Sequence, residues 1–125
     1  MEDRDLATYY ASGRVAIGLL LLLFPNRMLG GIIGGRDRMT PVLRYLARLV
    51  GVRDAIIGAG ALAALQDGDN ARIRPWMTYG AIADSVDTLA TLGAYKHLPR
   101  MKRFGMLCMG LTGAGAGGYL LTKFD

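Results

Sequence analysis

One cysteine and one histidine are present in 125 residues. Cys108 therefore has no partner for an internal disulfide and belongs to no multi-cysteine metal set. It sits in FGMLCMGL, where a cysteine reads as a small apolar residue. His97 stands alone in the basic stretch YKHLPRMKR and reads as an interfacial residue, not a ligand. Charge is also scarce. Charged residues make up 20% of the chain and hydrophobic ones 52%, with a mean hydropathy of +0.28. The N-terminus MEDRDLATYY lacks the basic region and small-residue cleavage site of a secretory signal, so the first apolar segment is expected to be retained. No Ser–His–Asp set and no metal-ligand spacing occur. GAGAGG near the C-terminus follows no strand and precedes no Lys–Ser/Thr pair, which excludes a phosphate-binding loop.

Apolar residues and glycine are what the chain does have. The length fits one domain, residues 1–125. Its 18 glycines fall in apolar stretches, as they do in membrane helices. The net charge of +5 does not point to nucleic acid, because the basic residues lie mostly between apolar segments instead of on one folded face.

Four apolar segments are predicted as helices, at about Leu6–Phe24, Thr40–Leu65, Trp76–Tyr95 and Phe104–Thr122. Pro25 and Asn26 stop the first. Thr40 as N-cap with Pro41 opens the second, and QDGDN ends it. The third is expected after Pro75. Each has roughly the 17–25 residues that cross a hydrocarbon core of ~30 Å, so the expected fold is all-α, a membrane bundle of four spanning helices. A soluble bundle would need a polar face on every helix, which the first and fourth lack. PNRMLGGIIGG between the first two segments can hold a short interfacial helix.

Basic residues set the expected orientation. Arg27, Arg36, Arg38, Arg44, Lys96, Arg100, Lys102 and Arg103 fall in or beside the first and third loops, against Arg4, Arg72, Arg74 and Lys123 on the other side. The more basic side is expected in the cytoplasm and both termini outside, with the chain integral to the cytoplasmic membrane. Trp76, Tyr9, Tyr10, Tyr79, Tyr95 and Tyr119 fall near predicted helix ends, as an aromatic belt would.

The charges inside the segments are the candidate site. At ~1.5 Å per residue, Arg14, Arg53, Asp54, Asp84 and Asp87 all lie ~12–18 Å below the outer face. Charges at such depth are expensive unless paired inside the bundle. Two arginines against three aspartates leave one carboxylate in excess, a candidate to carry a proton unless Arg48, deeper in the second helix, supplies the missing charge. Thr88 and Thr91 extend the polar stripe of the third segment, with Ser85 and Tyr79 nearby. Such a layer either fixes helix register or lines a polar cavity for a headgroup, a proton or an ion; the arginines disfavour a divalent metal. Small residues mark packing faces: Gly110, Ala114 and Gly118, with Gly113 and Gly117 in parallel, and Ala55, Ala59 and Ala63 in the second segment.

RVAIGLLLLLFPNRM, RLVGVRDAIIGAGAL and WMTYGAIADSVDTLATL together resemble small four-helix bacterial membrane proteins related to the DoxX-like group. The resemblance rests on Arg14 and Gly18, on Gly51, Arg53, Asp54 and Gly58, and on Asp84 and Asp87, and it runs to about Ala94. It implies the four-helix fold and, through that group's association with redox or quinone-linked membrane complexes, a bound lipid or quinone. Three functions follow as expectations. The first is a non-enzymatic accessory subunit of a larger membrane complex, or a lipid-binding bundle. The second is a small proton-coupled exporter acting as a homodimer, although Arg14 stands where that class carries an acid. The third is a lipid- or quinone-linked membrane enzyme with Asp84 or Asp87 as its acid–base group. The expected partners are membrane lipids and a larger complex or further copies of the chain, and no nucleic acid.

Overall fold

The computed structural model describes residues 2–97 and 100–124, without the side chains of residues 32, 95, 100–107 and 109. It is all-α, and no strand occurs among the described residues. Five helices follow in order: α1 (Asp3–Leu23), α2 (Pro25–Ile33), α3 (Pro41–Asp67), α4 (Asn70–Ala94) and α5 (Arg100–Lys123). Short 3₁₀ turns at Arg36–Arg38 and Tyr95–His97 complete the connections.

Local chemistry explains most boundaries. Thr40 caps α3, its hydroxyl accepting from the backbone N–H of Leu43 at 3.1 Å, with Pro41 at the first helical position, where its missing N–H costs nothing. Gly68 ends α3 at φ +75°, a conformation that favours glycine. Arg4 ties down this turn by donating to the carbonyls of Leu65 and Gly68. Pro25 starts the short helix α2 directly after α1.

The two later helices begin earlier than the hydropathy pattern suggested. Pro75 lies inside α4. Asp69 overrides it: its side chain accepts from the N–H of Ala71 at 2.9 Å, an N-terminal cap, and Ile73 on the first turns is fully buried. Helix α5 starts at Arg100, so Arg100, Lys102 and Arg103 lie on its first turn and not in a loop. Hydropathy trims a helix to its apolar part, although arginine and lysine are good helix formers.

The four long helices run alternately up and down. Helices α1 and α3 form one tight pair and α4 and α5 the other, with α3 and α4 in contact between them. Glycine makes the first pair close. A Cβ on Gly18 would come within 2.5 Å of the Gly51 carbonyl oxygen, and one on Gly51 within 2.5 Å of the Gly18 carbonyl oxygen. Gly58 meets the carbonyl of Ala11 in the same way. The buried face of α3 is Ala47, Gly51, Asp54, Gly58, Ala61 and Ala64. Of the expected smooth face, Ala55 lies against Gly18, whereas Ala59 and Ala63 are exposed, turned ~80–140° around the helix from Gly51 and Gly58.

The apolar core sits at the end that holds the chain termini. Ala7, Ala11, Ala61, Ala64, Ile73, Met77, Leu120 and Phe124 form it. Trp76 packs its ring over Gly60 against this core. Of the expected aromatic belt, Trp76 and Tyr10 therefore turn inward, whereas Tyr9, Tyr79 and Tyr119 are exposed. The Tyr95 side chain lies outside the described residues.

Candidate functional site

Between the two helix pairs, halfway along them, lies a row of five charges. Arg14 from α1 places Nη1 2.9 Å from Asp54 Oδ1 on α3 and Nη2 2.5 Å from Asp84 Oδ2 on α4. Arg53 from α3 places Nη2 3.1 Å from the same Asp54 oxygen and 2.7 Å from Asp87 Oδ2 on α4. Signs alternate along the row Asp84–Arg14–Asp54–Arg53–Asp87, so each arginine lies between two carboxylates. Three helices contribute, and the row crosses from one pair to the other.

Backbone spacing explains the convergence. On α1, Ala7, Ala11, Arg14, Gly18 and Leu21 share the buried face, at the spacings of three and four that put residues on one side of a helix. Arg14 is consequently 8% exposed, and Asp54, on the buried face of α3, 9%. Arg14 Nη2 also donates to the Gly80 carbonyl at 3.3 Å, which Gly80 allows by bringing the α4 backbone close. Arg14 Nε is buried with no acceptor among the described residues.

Tyr10 belongs to this site, which the sequence reading missed by assigning it to the belt. Its hydroxyl donates to Asp84 Oδ2 at 2.9 Å and accepts from Arg14 Nη2 at 3.0 Å. The guanidinium also lies over its ring, 5.3 Å from the centroid. The available signal was its place four residues before Arg14, one helical turn away on the same side.

Other sequence candidates are placed differently. Arg48 does not join the row; its Nε donates to the carbonyl of Leu22 at 3.4 Å, near the end of α1. It points toward the α1 side, where unpaired terminal carbonyls attract a cation. Thr88 and Thr91 each donate to the backbone carbonyl four residues earlier, those of Asp84 and Asp87. Their hydroxyls are thus used within α4 and do not reach the carboxylates. Ser85 does the same with Ala81.

The glycines of α5 form the back wall of the site. A Cβ on Gly113 would meet Asp84 Oδ2 at 2.6 Å. One on Gly110 would strike the Thr88 hydroxyl, and one on Gly117 would come within 3.1 Å of the Tyr10 hydroxyl. The working stripe is therefore Gly110, Gly113 and Gly117. Gly118, expected on a packing face with Ala114, has open space where its Cβ would stand. An i, i+3, i+7 stripe follows one side of a 3.6-residue helix more closely than an i, i+4, i+8 one.

Two surface concavities lie elsewhere. One of about 410 Å³ at the termini is polar and includes Arg4 and Lys123 in its lining. The other, about 290 Å³ and lined by Ile82, Val86 and Leu89 among others, lies on the outer side of α4. Neither is lined by a member of the charged row. Among the described residues no group of histidine, cysteine, aspartate and glutamate is arranged to hold a metal ion. Chemically, the row can hold charges and donate or accept hydrogen bonds. It presents no nucleophile–base pair.

Two helices, Asp3–Leu23 and Pro41–Asp67, are long and apolar enough to cross a membrane. Compared with protein-family models, with curated proteins and with solved structures, the chain matches none.

Proposed function

We propose that this chain is a small membrane protein whose four long helices all span the bilayer, and that it acts as a non-enzymatic binding module: an accessory subunit or lipid-binding bundle built around the charged row. The observation that carries this reading is its inverted polarity. Leu20 on α1, Ile56 on α3, Leu89 on α4 and Leu111 on α5 all point outward and are exposed, while Arg14 and Asp54 are buried. A water-soluble monomer rarely exposes a contiguous apolar patch beyond a few hundred Å². In a bilayer the same arrangement puts aliphatic side chains in lipid and pairs the ions in the interior.

Helices α4 and α5, with 25 and 24 residues, match the length of a span. Their lower hydropathy comes from the aspartates paired with arginine in α4 and from the basic residues near the helix ends. The short helix α2 and its flanking arginines suit the interface at the basic end, and the basic-residue asymmetry supports both termini outside. A place near the DoxX-like group, with a lipid or quinone as ligand, is consistent with this reading. A binding role is favoured over catalysis because the row pairs its carboxylates with arginine and presents no nucleophile beside a base.

Native mass spectrometry from mild detergent tests the proposal. The expected result is a chain released from membranes only by detergent and carrying retained lipid or a second protein. A chain recovered in the soluble fraction without detergent would sink it.

A further inference from the structure

The charged row reaches the surface. Its last pair lies at the outer crevice between α3 and α4, where the Arg53 side chain is 32% and that of Asp87 43% exposed. At the other end the side chains of Arg14 and Asp84 are 7% and 15% exposed. On the membrane reading proposed above, on which this inference rests, the exposed pair faces hydrocarbon unless something covers it, and lipid tails satisfy no polar group.

The unused hydrogen-bonding capacity specifies the cover. Arginine has five N–H donors. Arg53 directs Nε and one Nη2 hydrogen to Asp54. The other Nη2 hydrogen and one of Nη1 go to Asp87. One Nη1 hydrogen has no acceptor among the described residues. Asp87 accepts one bond at each oxygen, both from Arg53, of about four that a carboxylate can take. No other side chain among the described residues donates to it. A spare donor and spare acceptor sites thus stand side by side, at one depth, since the two groups are 2.7 Å apart. A purely cationic partner would leave the Arg53 donor unmatched, and an anionic headgroup would be repelled by Asp87.

We propose that a second copy of this chain covers the pair, related by a two-fold axis along the membrane normal. Such an axis preserves depth and exchanges left for right, so Arg53 of each copy meets the partner's Asp87. Each Asp87 then lies between two arginines, as Asp54 already does inside one copy. Leu49 and Ile56 on α3 and Ala90 on α4 are exposed around the pair and supply the apolar rim that keeps lipid and water out.

Cross-linking in native membranes tests this. Because the axis sets α4 against the partner's α3, two forms of the full chain are co-expressed, both with Cys108→Ser to remove the exposed thiol, one with Leu49→Cys and the other with Ala90→Cys or Leu89→Cys. At ~100° per residue, Ala90 lies ~60° around α4 from Asp87 and Leu89 ~160°. Oxidation should give disulfide dimers from the Ala90 variant and few from the Leu89 variant. Asp87→Asn in the Ala90→Cys chain should weaken association about tenfold, the effect of losing one or two hydrogen bonds between helices in lipid. Thermal stability in detergent, measured beside it, separates loss of pairing from loss of fold. Equal or stronger cross-linking at position 89, none at either position, or capture of a different protein by the Ala90 variant overturns the dimer while the chain stays in the membrane fraction. Recovery of the chain in the soluble fraction instead overturns the membrane reading and the dimer with it.

Discussion

Arg14 joins α1 to both other helices of the site, because it contacts Asp54 and Asp84. Among the described residues, Arg14→Ala leaves Asp84 with only the Tyr10 hydroxyl and Asp54 with only Arg53. Removing one member of a buried pair typically costs ~3–5 kcal/mol, so a marked fall in thermal midpoint in detergent is expected. Asp84→Ala should cost less, since Arg14 keeps Asp54, and the double variant should cost less than the sum of the two. Strictly additive losses would show that the pair is not coupled. Arginine and aspartate in otherwise greasy helices, at matching depths, made these five residues legible in the sequence. Tyr10 was not, because a tyrosine near a helix end has an ordinary explanation at a membrane interface. Arg48 misled for a different reason: it was expected to reach the row from deeper in the helix, but its side chain turns to the end of α1, and direction needs the partner helix to be known.

At the scale of helices, close approach depends on where a side chain is forbidden. Gly18 and Gly51 each face the other's carbonyl oxygen, and backbone cannot move aside as a flexible side chain can. Gly18→Ala and Gly51→Ala should each destabilise the chain by roughly 1–3 kcal/mol, the usual cost of overpacking. Gly118→Leu, which adds far more bulk but meets open space, should leave stability in detergent within about 0.5 kcal/mol of wild type. A large loss from Gly118→Leu, with none from Gly18→Ala, would place the tight seam on the wrong helix pair. Small-residue spacing announced that helices pack closely, and it named Gly110, Gly113 and Gly117 together with Gly118. It did not select among them, because two glycine stripes on one helix differ only in rotation. The start of α4 was hidden likewise. Pro75 is a familiar stop signal, and only the Asp69 cap together with the buried Ile73 outweighs it.

For the molecule as a whole, the all-α architecture and its division into four long helices were readable from apolar segments and their capping signals. The pairing of α1 with α3 and of α4 with α5 was not, because the segments resemble one another in hydropathy and only their small-residue faces differ. The proposed orientation makes a direct prediction. With Cys108→Ser in place, Lys123→Cys should react with a membrane-impermeant thiol reagent added to intact cells, and Lys96→Cys only after the cells are opened. Labelling of position 96 from outside would reverse the topology. The location of the row between two helix pairs has a last consequence, for assembly. The first half of the chain carries Arg14, Arg53 and Asp54, an excess of one positive charge, and the second half carries Asp84 and Asp87, two negatives. On the membrane reading proposed above, each half is a hairpin that enters the bilayer with its charges unbalanced, and the two carry opposite net charge. On that reading, docking of the hairpins is driven by ion pairing in a medium of low dielectric constant, and it is directional, because the row fixes the depth at which they meet. A chain severed in the Gly68 turn should accordingly reassemble from its two pieces, finding the right register by charge before the glycine seams close.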